Sequence, residues 1–167
     1  MKNIMKALSL AIVLVLLVPV TVNAQSGKTN FSGTWAFNAE KSNLGGGGQG
    51  GGRGFGGGDM KVTQEGNVLT VATTRPGRDG GAPVTTTSKY TLDGKESINT
   101  TQRGESKSTA NWAADGKSLT IKTAQSFNDM TMNSTQVWTL DGSNLKVTRT
   151  MTTQNGDMTS TMVYDKK

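Results

Sequence analysis

From Phe31 to Tyr164 the chain alternates apolar and polar residues in short runs, each closed by a turn-forming dipeptide. A two-residue period sends successive side chains to opposite faces of an extended strand, so the pattern reads as half-buried β-strands. Ten are predicted: Phe31–Phe37, Met60–Gln64, Val68–Thr74, Val84–Leu92, Lys95–Thr101, Ser108–Ala114, Ser118–Ser126, Met130–Leu140, Leu145–Thr153 and Met158–Tyr164. No stretch beyond residue 24 follows the 3.6-residue period of a helix.

The connections fall into two alternating classes. Glu65-Gly66-Asn67, Asp93-Gly94, Asp115-Gly116 and Asp141-Gly142 are tight, and Asp-Gly accepts the positive φ that hairpin turns demand, so four hairpins are expected there. The other class holds the glycine-rich segment, Arg75 to Pro83, Gln102 to Glu105, Phe127 to Asp129, and Gln154 to Gly156. In an up-and-down meander these classes lie at opposite ends, one sewn tight and one loose. An open ten-stranded sheet would expose two edges, so closure into an antiparallel up-and-down barrel is the expected all-β architecture.

Two segments stand outside this pattern. Lys2 and Lys6 precede an apolar run from Ala7 to Val18 broken only by Ser9, followed by Pro19 and Val22-Asn23-Ala24. This is the plan of a signal peptide cut after Ala24, and its apolar core is too short to span a bilayer. An exported, periplasmic or extracellular domain over residues 25–167 is the expectation. The second segment, Gly45 to Gly58, has 11 glycines in 14 residues, cannot bury a core, and reads as a flexible loop.

Composition narrows the function. Removing Lys2 and Lys6 with the leader lowers the formal net charge from +6 to +4, a mild and dispersed excess that, with export, argues against a nucleic-acid partner. Without cysteine the domain has no disulfide and must be held by its own core. Without histidine or cysteine it lacks the commonest general base, zinc ligand and thiol nucleophile, so neither catalysis, a metal nor a cofactor is expected. Asp93, Asp115 and Asp141 are turn residues first. The glycine-rich segment lacks the Gly-Lys-Ser/Thr ending of a phosphate loop. Asn99-Thr100-Thr101 and Asn133-Ser134-Thr135 match the glycosylation sequon, but both lie within predicted strands and carry no weight.

The two ends of the domain are distinctive. Phe31-Ser32-Gly33-Thr34-Trp35 resembles the opening Gly-x-Trp strand of lipocalins and intracellular fatty-acid-binding proteins, with Gly33 and Trp35 in its structural positions. Met162-Val163-Tyr164-Asp165-Lys166-Lys167 resembles the closing strand of the second group. The resemblance implies a calycin, an antiparallel barrel around a cavity for a small apolar or amphipathic molecule. Tyr164 matches the tyrosine of the family's Arg-x-Tyr carboxylate anchor, whereas Met162 stands where the arginine would be. The family's helix-turn-helix lid is replaced by the glycine-rich segment.

Arg149 is a candidate substitute for that missing arginine, because alternation with Leu145, Val147 and Met151 aims it inward, where a buried guanidinium needs a carboxylate from the protein or from a ligand. The calycin resemblance implies a competing role, a late-strand arginine packed over the first-strand Trp35. Trp112, Trp138 and Met162 share the inward faces with Tyr90, Ser88, Gln136 and Ser160, a mixture that suits either a packed interior or a hydrated cavity. Arg53, Arg75, Arg78 and Arg103, with Phe55 and Phe127, fall in the loose connections and form a candidate basic rim for an anionic amphiphile or an anionic membrane surface. Three functions remain open: a binder of a small apolar or amphipathic ligand, an envelope structural or protein-interaction module with a filled barrel, and an enzyme on the same scaffold that works through a pair of the 12 carboxylates.

Overall fold

Ten strands form in chain order: β1 (Gly33–Asn43), β2 (Asp59–Glu65), β3 (Val68–Arg75), β4 (Val84–Thr91), β5 (Glu96–Thr101), β6 (Gly104–Trp112), β7 (Ser118–Phe127), β8 (Met130–Asp141), β9 (Asn144–Thr153) and β10 (Gly156–Lys166). This is a computed structural model that describes residues 27–45, 57–77, 80–101, 104–127, 130–153 and 156–167, and among these there is no α-helix. The predicted leader and Gly46 to Gly56 lie outside the described residues. All pairings are antiparallel, in the order β4-β3-β2-β1-β10-β9-β8-β7-β6-β5, so the first strand pairs with the last and the sheet curls into a nearly closed barrel.

The strand count and the antiparallel meander are as predicted, but closure is not made by a ladder. β4 and β5 are the two ends of the sheet, and the hairpin expected at Asp93-Gly94 does not form one. The reason lies in the connection itself. Leu92 is buried and its N–H donates to the Asn67 carbonyl at 2.8 Å, while the Gly94 N–H donates to the Ala110 carbonyl at 3.1 Å. The turn spends its backbone hydrogen bonds on both neighbours, and its two strands splay.

Side chains close the gap. The Lys89 N–H donates to Asn99 Oδ1 at 2.7 Å and Asn99 Nδ2 donates to the Lys89 carbonyl at 3.0 Å. The Thr91 N–H donates to Ser97 Oγ at 2.8 Å, and Thr91 Oγ1 donates to the Lys95 carbonyl at 3.0 Å. An amide side chain carries both an N–H donor group and a carbonyl acceptor, so Asn99 supplies what a facing backbone would have supplied. The first sequon asparagine is thereby committed to the seam and buried.

The contrast between the two ends is narrower than turn chemistry alone suggests. Gly66, Gly94, Gly116 and Gly142 all adopt positive φ at the tight end. At the other end, however, ladders run to Thr101↔Gly104, Phe127↔Met130 and Thr153↔Gly156, so three connections assigned to the loose class are also two-residue hairpins. Only the β1–β2 and β3–β4 connections are long.

The tight end is filled by a plug. Phe31, expected as the first residue of a strand, instead precedes β1 and is fully buried within the barrel. It stacks on Trp112 with centroids 5.7 Å apart and planes within 4°, and meets Trp138 edge-on at 5.8 Å. The Trp35 indole N–H holds the Phe31 carbonyl at 3.0 Å, the Phe31 N–H donates to Gln64 Oε1 at 3.1 Å, and the Thr29 N–H donates to the Gly116 carbonyl at 2.9 Å. Leu69, Leu119, Ile121 and Leu145 surround this cluster with no exposed surface. Each such side chain contributes roughly 1.5–3 kcal/mol by burial, which is the stabilisation a disulfide-free domain of this kind relies on.

Replacing Asn99 with alanine strands the Lys89 N–H and C=O at the seam and is expected to cost about 1–3 kcal/mol of unfolding free energy. Thr100→Ala, on the exposed face of the same strand, should stay within about 0.5 kcal/mol of the parent. Denaturant titration of residues 25–167 measures both, and equal effects would mean that the seam is not held by Asn99.

Candidate ligand-binding site

Above the plug, toward the end with the long connections, the inner faces do not meet. They leave a cavity of about 190 Å³. Its lower part is apolar: Trp138 of β8, Val147 of β9, Val71 of β3 and Met60 of β2 are all buried there. Its upper part is polar. Arg149 enters from β9, directly opposite Gln136 of β8 and Ser160 of β10. Arg75, two and four residues past Thr73 and Val71 on the same face of β3, comes from the other wall. Tyr90 of β4 and Tyr164 of β10 complete it.

Charge and burial oppose one another here. Burial, and then the neighbouring Arg75 charge, hold Arg149 below the usual guanidinium value, while Tyr90 acts in the other direction. Burial raises the Tyr90 phenol despite a hydrogen bond with Ser88 and the nearby Arg149 charge. Burial pushes the Tyr164 phenol up to about 12, against the opposing pull of Arg75. Among the described residues lining the cavity there are two guanidinium groups and no carboxylate. The remaining contacts orient the walls: Trp138 Nε1 donates to Gln136 Oε1 at 3.1 Å, Tyr164 Oη donates to Met162 Sδ at 3.5 Å, and the Phe37 ring meets Tyr164 edge-on at 5.7 Å.

The residues singled out from sequence are distributed as follows. Arg149, Tyr164, Met162 and Trp138 line the cavity together. Trp112 does not; it is part of the plug, with the Lys28 ammonium 5.7 Å from its ring centre. The cation over Trp35 is Lys166, 5.8 Å from the ring centre, not Arg149. Register explains this: Arg149 faces Ser160, whereas Trp35 faces Lys166, six residues and roughly 20 Å farther along β10. Gly33 opens β1 at a φ of 152°, beside the Trp35 indole.

Arg75, placed in a rim connection by sequence, is the last residue of β3, where it is exposed at the long-connection end and also lines the cavity. The alternation Leu69, Val71, Thr73, Arg75 carries the signal that would have found it. Tyr90 and Thr73 also line the cavity without having been singled out as ligand contacts. Arg53, Phe55, Arg78 and Arg103 lie outside the described residues, as does the Phe127 side chain at the end of β7.

No family profile and no curated protein matches the sequence. Solved structures do match the fold. Zebrafish ileal bile acid-binding protein complexed with cholic acid aligns over 82% of this chain and 98% of its own, with a TM-score of 0.57 and 20% identity. The fluorescent protein UnaG aligns over 82% and 97%, with a TM-score of 0.59 and 21% identity. Echinococcus granulosus fatty-acid-binding protein 1 aligns over 81% and 96%, with a TM-score of 0.55 and 16% identity. The fold is calycin-like. Within this calycin-like barrel the polar half of the cavity is built mainly from β3, β4, β9 and β10, with methionine at the closing-strand position that the family resemblance would give to arginine.

The chain's only two tyrosines both face this cavity, which makes them reporters of it. Tyrosinate is the charged form, so burial favours the protonated phenol in the folded state. The resulting stabilisation is complete below pH 10, where the unfolded chain also keeps its protons, and is lost as the pH climbs from 10 toward about 12. For Tyr164 the shift corresponds to about 2–3 kcal/mol. Ultraviolet titration of the folded protein should show no tyrosinate with a midpoint near 10, and ionisation should coincide with unfolding; a normal titration of either phenol would contradict a closed site.

Proposed function

We propose that this protein is an exported binder of a small anionic amphiphile, held inside the barrel with its acid group between Arg149 and Arg75. The observation that carries this reading is the cavity wall itself: two cationic groups and two raised phenols face one chamber whose lower part is apolar. A guanidinium offers a planar fork of donors that matches a carboxylate, and in a partly desolvated site such a contact is stronger than in water. The similar barrels include proteins named for fatty acids and a bile acid, both anionic amphiphiles, which supports the same class of ligand here. The absence of histidine and cysteine supports binding without chemistry.

Binding of dodecanoate and dodecanol to residues 25–167, followed by tryptophan fluorescence, tests the reading, since Trp138 lines the chamber. Dodecanoate should bind more tightly than the uncharged alcohol. Arg149→Gln should weaken dodecanoate by about 10- to 100-fold, as expected for losing a charged hydrogen bond, and leave dodecanol nearly unchanged. Equal affinity for the two probes would overturn the anionic assignment. No binding of either would favour a structural or protein-interaction module.

Export is supported by the basic start, the 12-residue apolar run and the small residues ending at Ala24. The intact mass of the protein recovered from outside the cytoplasm of its own host should correspond to a chain beginning at Gln25. A mass that includes Met1 would rule out the cleavage.

A further inference from the structure

A second hollow adjoins the first. It has a volume of about 330 Å³ and lies at the rim where the end of β1 meets the β9–β10 hairpin. Met151, Met158 and Leu44 give it an apolar lining, Gly45, Thr159 and Ser160 complete its walls, and Asp157 stands at its edge. Ser160 also lines the inner chamber, so the two hollows are neighbours. Met151 follows Arg149 by two residues on the same face of β9, a step of roughly 7 Å, and is paired directly with Met158 across the ladder.

The outer wall of this hollow is set by two local features. The β1–β10 register shifts between Asn38 and Asn43, and Ser42 stitches the bulge: its Oγ donates to the Asn38 carbonyl at 2.6 Å and accepts the Val163 N–H at 2.9 Å. Past the bulge, Gly45 at a φ of 70° lies so close to β10 that a Cβ there would collide with the Thr159 carbonyl. Only glycine permits this approach, and it brings Leu44 to the mouth.

Size and charge then decide how a ligand divides between the hollows. A site that encloses a drug-sized molecule spans about 300–1,000 Å³; the outer hollow alone just reaches that range, whereas the inner chamber, which carries the cations, reaches it only when joined to the outer one. The cations face the inner chamber, whereas among the described residues lining the outer hollow the one charged group is the carboxylate of Asp157, which disfavours an acid group there. Met158 is 45% exposed, a large apolar residue left uncovered at this mouth. The unbranched thioethers of methionine adapt to chains of varied shape.

Resting on the function proposed above, we propose that the ligand is a long-chain acid that occupies both hollows. Its acid group sits with Arg149 and Arg75, and its chain passes Ser160, lies along Met151 and Met158 under Leu44, and leaves the barrel between the end of β1 and the β9–β10 hairpin. The outer hollow thus selects for chain length, while the inner one selects for charge.

Methionine-methyl NMR of residues 25–167 with hexanoate and hexadecanoate as probes tests this. Hexanoate should shift the Met60 and Met162 methyls in the inner chamber and leave Met151 and Met158 unmoved; hexadecanoate should shift all four. Met158→Asn, at an exposed position, should weaken hexadecanoate about tenfold without changing hexanoate affinity. Hexadecanoate binding that moves only Met60 and Met162, or that is indifferent to Met158→Asn, would overturn the chain path while leaving anion binding intact. Hexanoate binding that ignores Arg149→Gln would instead sink the anionic reading, and no binding of either acid would sink both.

Discussion

Phe31 sits with one ring face on Trp112 and an edge of Trp138 against it, and the barrel is organised around that contact. A sheet of ten strands encloses more space than the side chains of this threonine-rich chain can fill. By crossing the tight end before β1 begins, the segment from Gly27 to Ser32 brings a large aromatic from outside the sheet into that space. The backbone bonds of Thr29 and Phe31 to Gly116 and Gln64 fix its position. Packing is therefore concentrated in one half of the barrel, which leaves the other half free to remain hollow.

The hollow half is tolerable because its polar groups have one another. Tyr90, Ser88 and Arg149 interact, as do Gln136 and Trp138, so the desolvation of each is offset in part by a neighbour. Arg149, partly buried and beside the Arg75 charge, is nevertheless a costly group in a domain without disulfides. Such costs are characteristic of binding sites, where stability is given up for a ligand that restores it. The plug and the chamber are thus complementary: the first supplies the stability that the second spends.

The β4–β5 seam shows the same economy. A continuous ladder around the barrel would require the Asp93-Gly94 turn to fold back on itself, but burying Leu92 draws that turn toward β2–β3 on one side and β6 on the other. Asn99 and Ser97 then bridge the strands with side chains. Because such bridges depend on single residues, this is where the wall of the barrel is thinnest.

Much of this was legible in the sequence because it is local. Period-two alternation located ten strands, Asp-Gly dipeptides located the positive-φ turns, and the inward face of β9 placed Arg149 in the interior. Alternation, however, reports a face and not a partner. Whether Arg149 covers Trp35 or faces Tyr90 depends on the β9–β10 and β1–β10 registers, which put about 20 Å of strand between Arg149 and Trp35. Arg75 was read as loop because it abuts the Pro76-Gly77 turn signal, whereas the β3–β4 ladder runs one residue further, to Arg75↔Val84. Phe31 was read as strand because a plug and a strand residue look alike in one dimension. The chain by itself determined an all-β meander with an inward arginine and tyrosine; the tertiary structure decided which end is filled, which residues share the hollow and where the wall is left unpaired. Those depend on contacts between residues far apart in sequence, and only closure of the sheet brings them together.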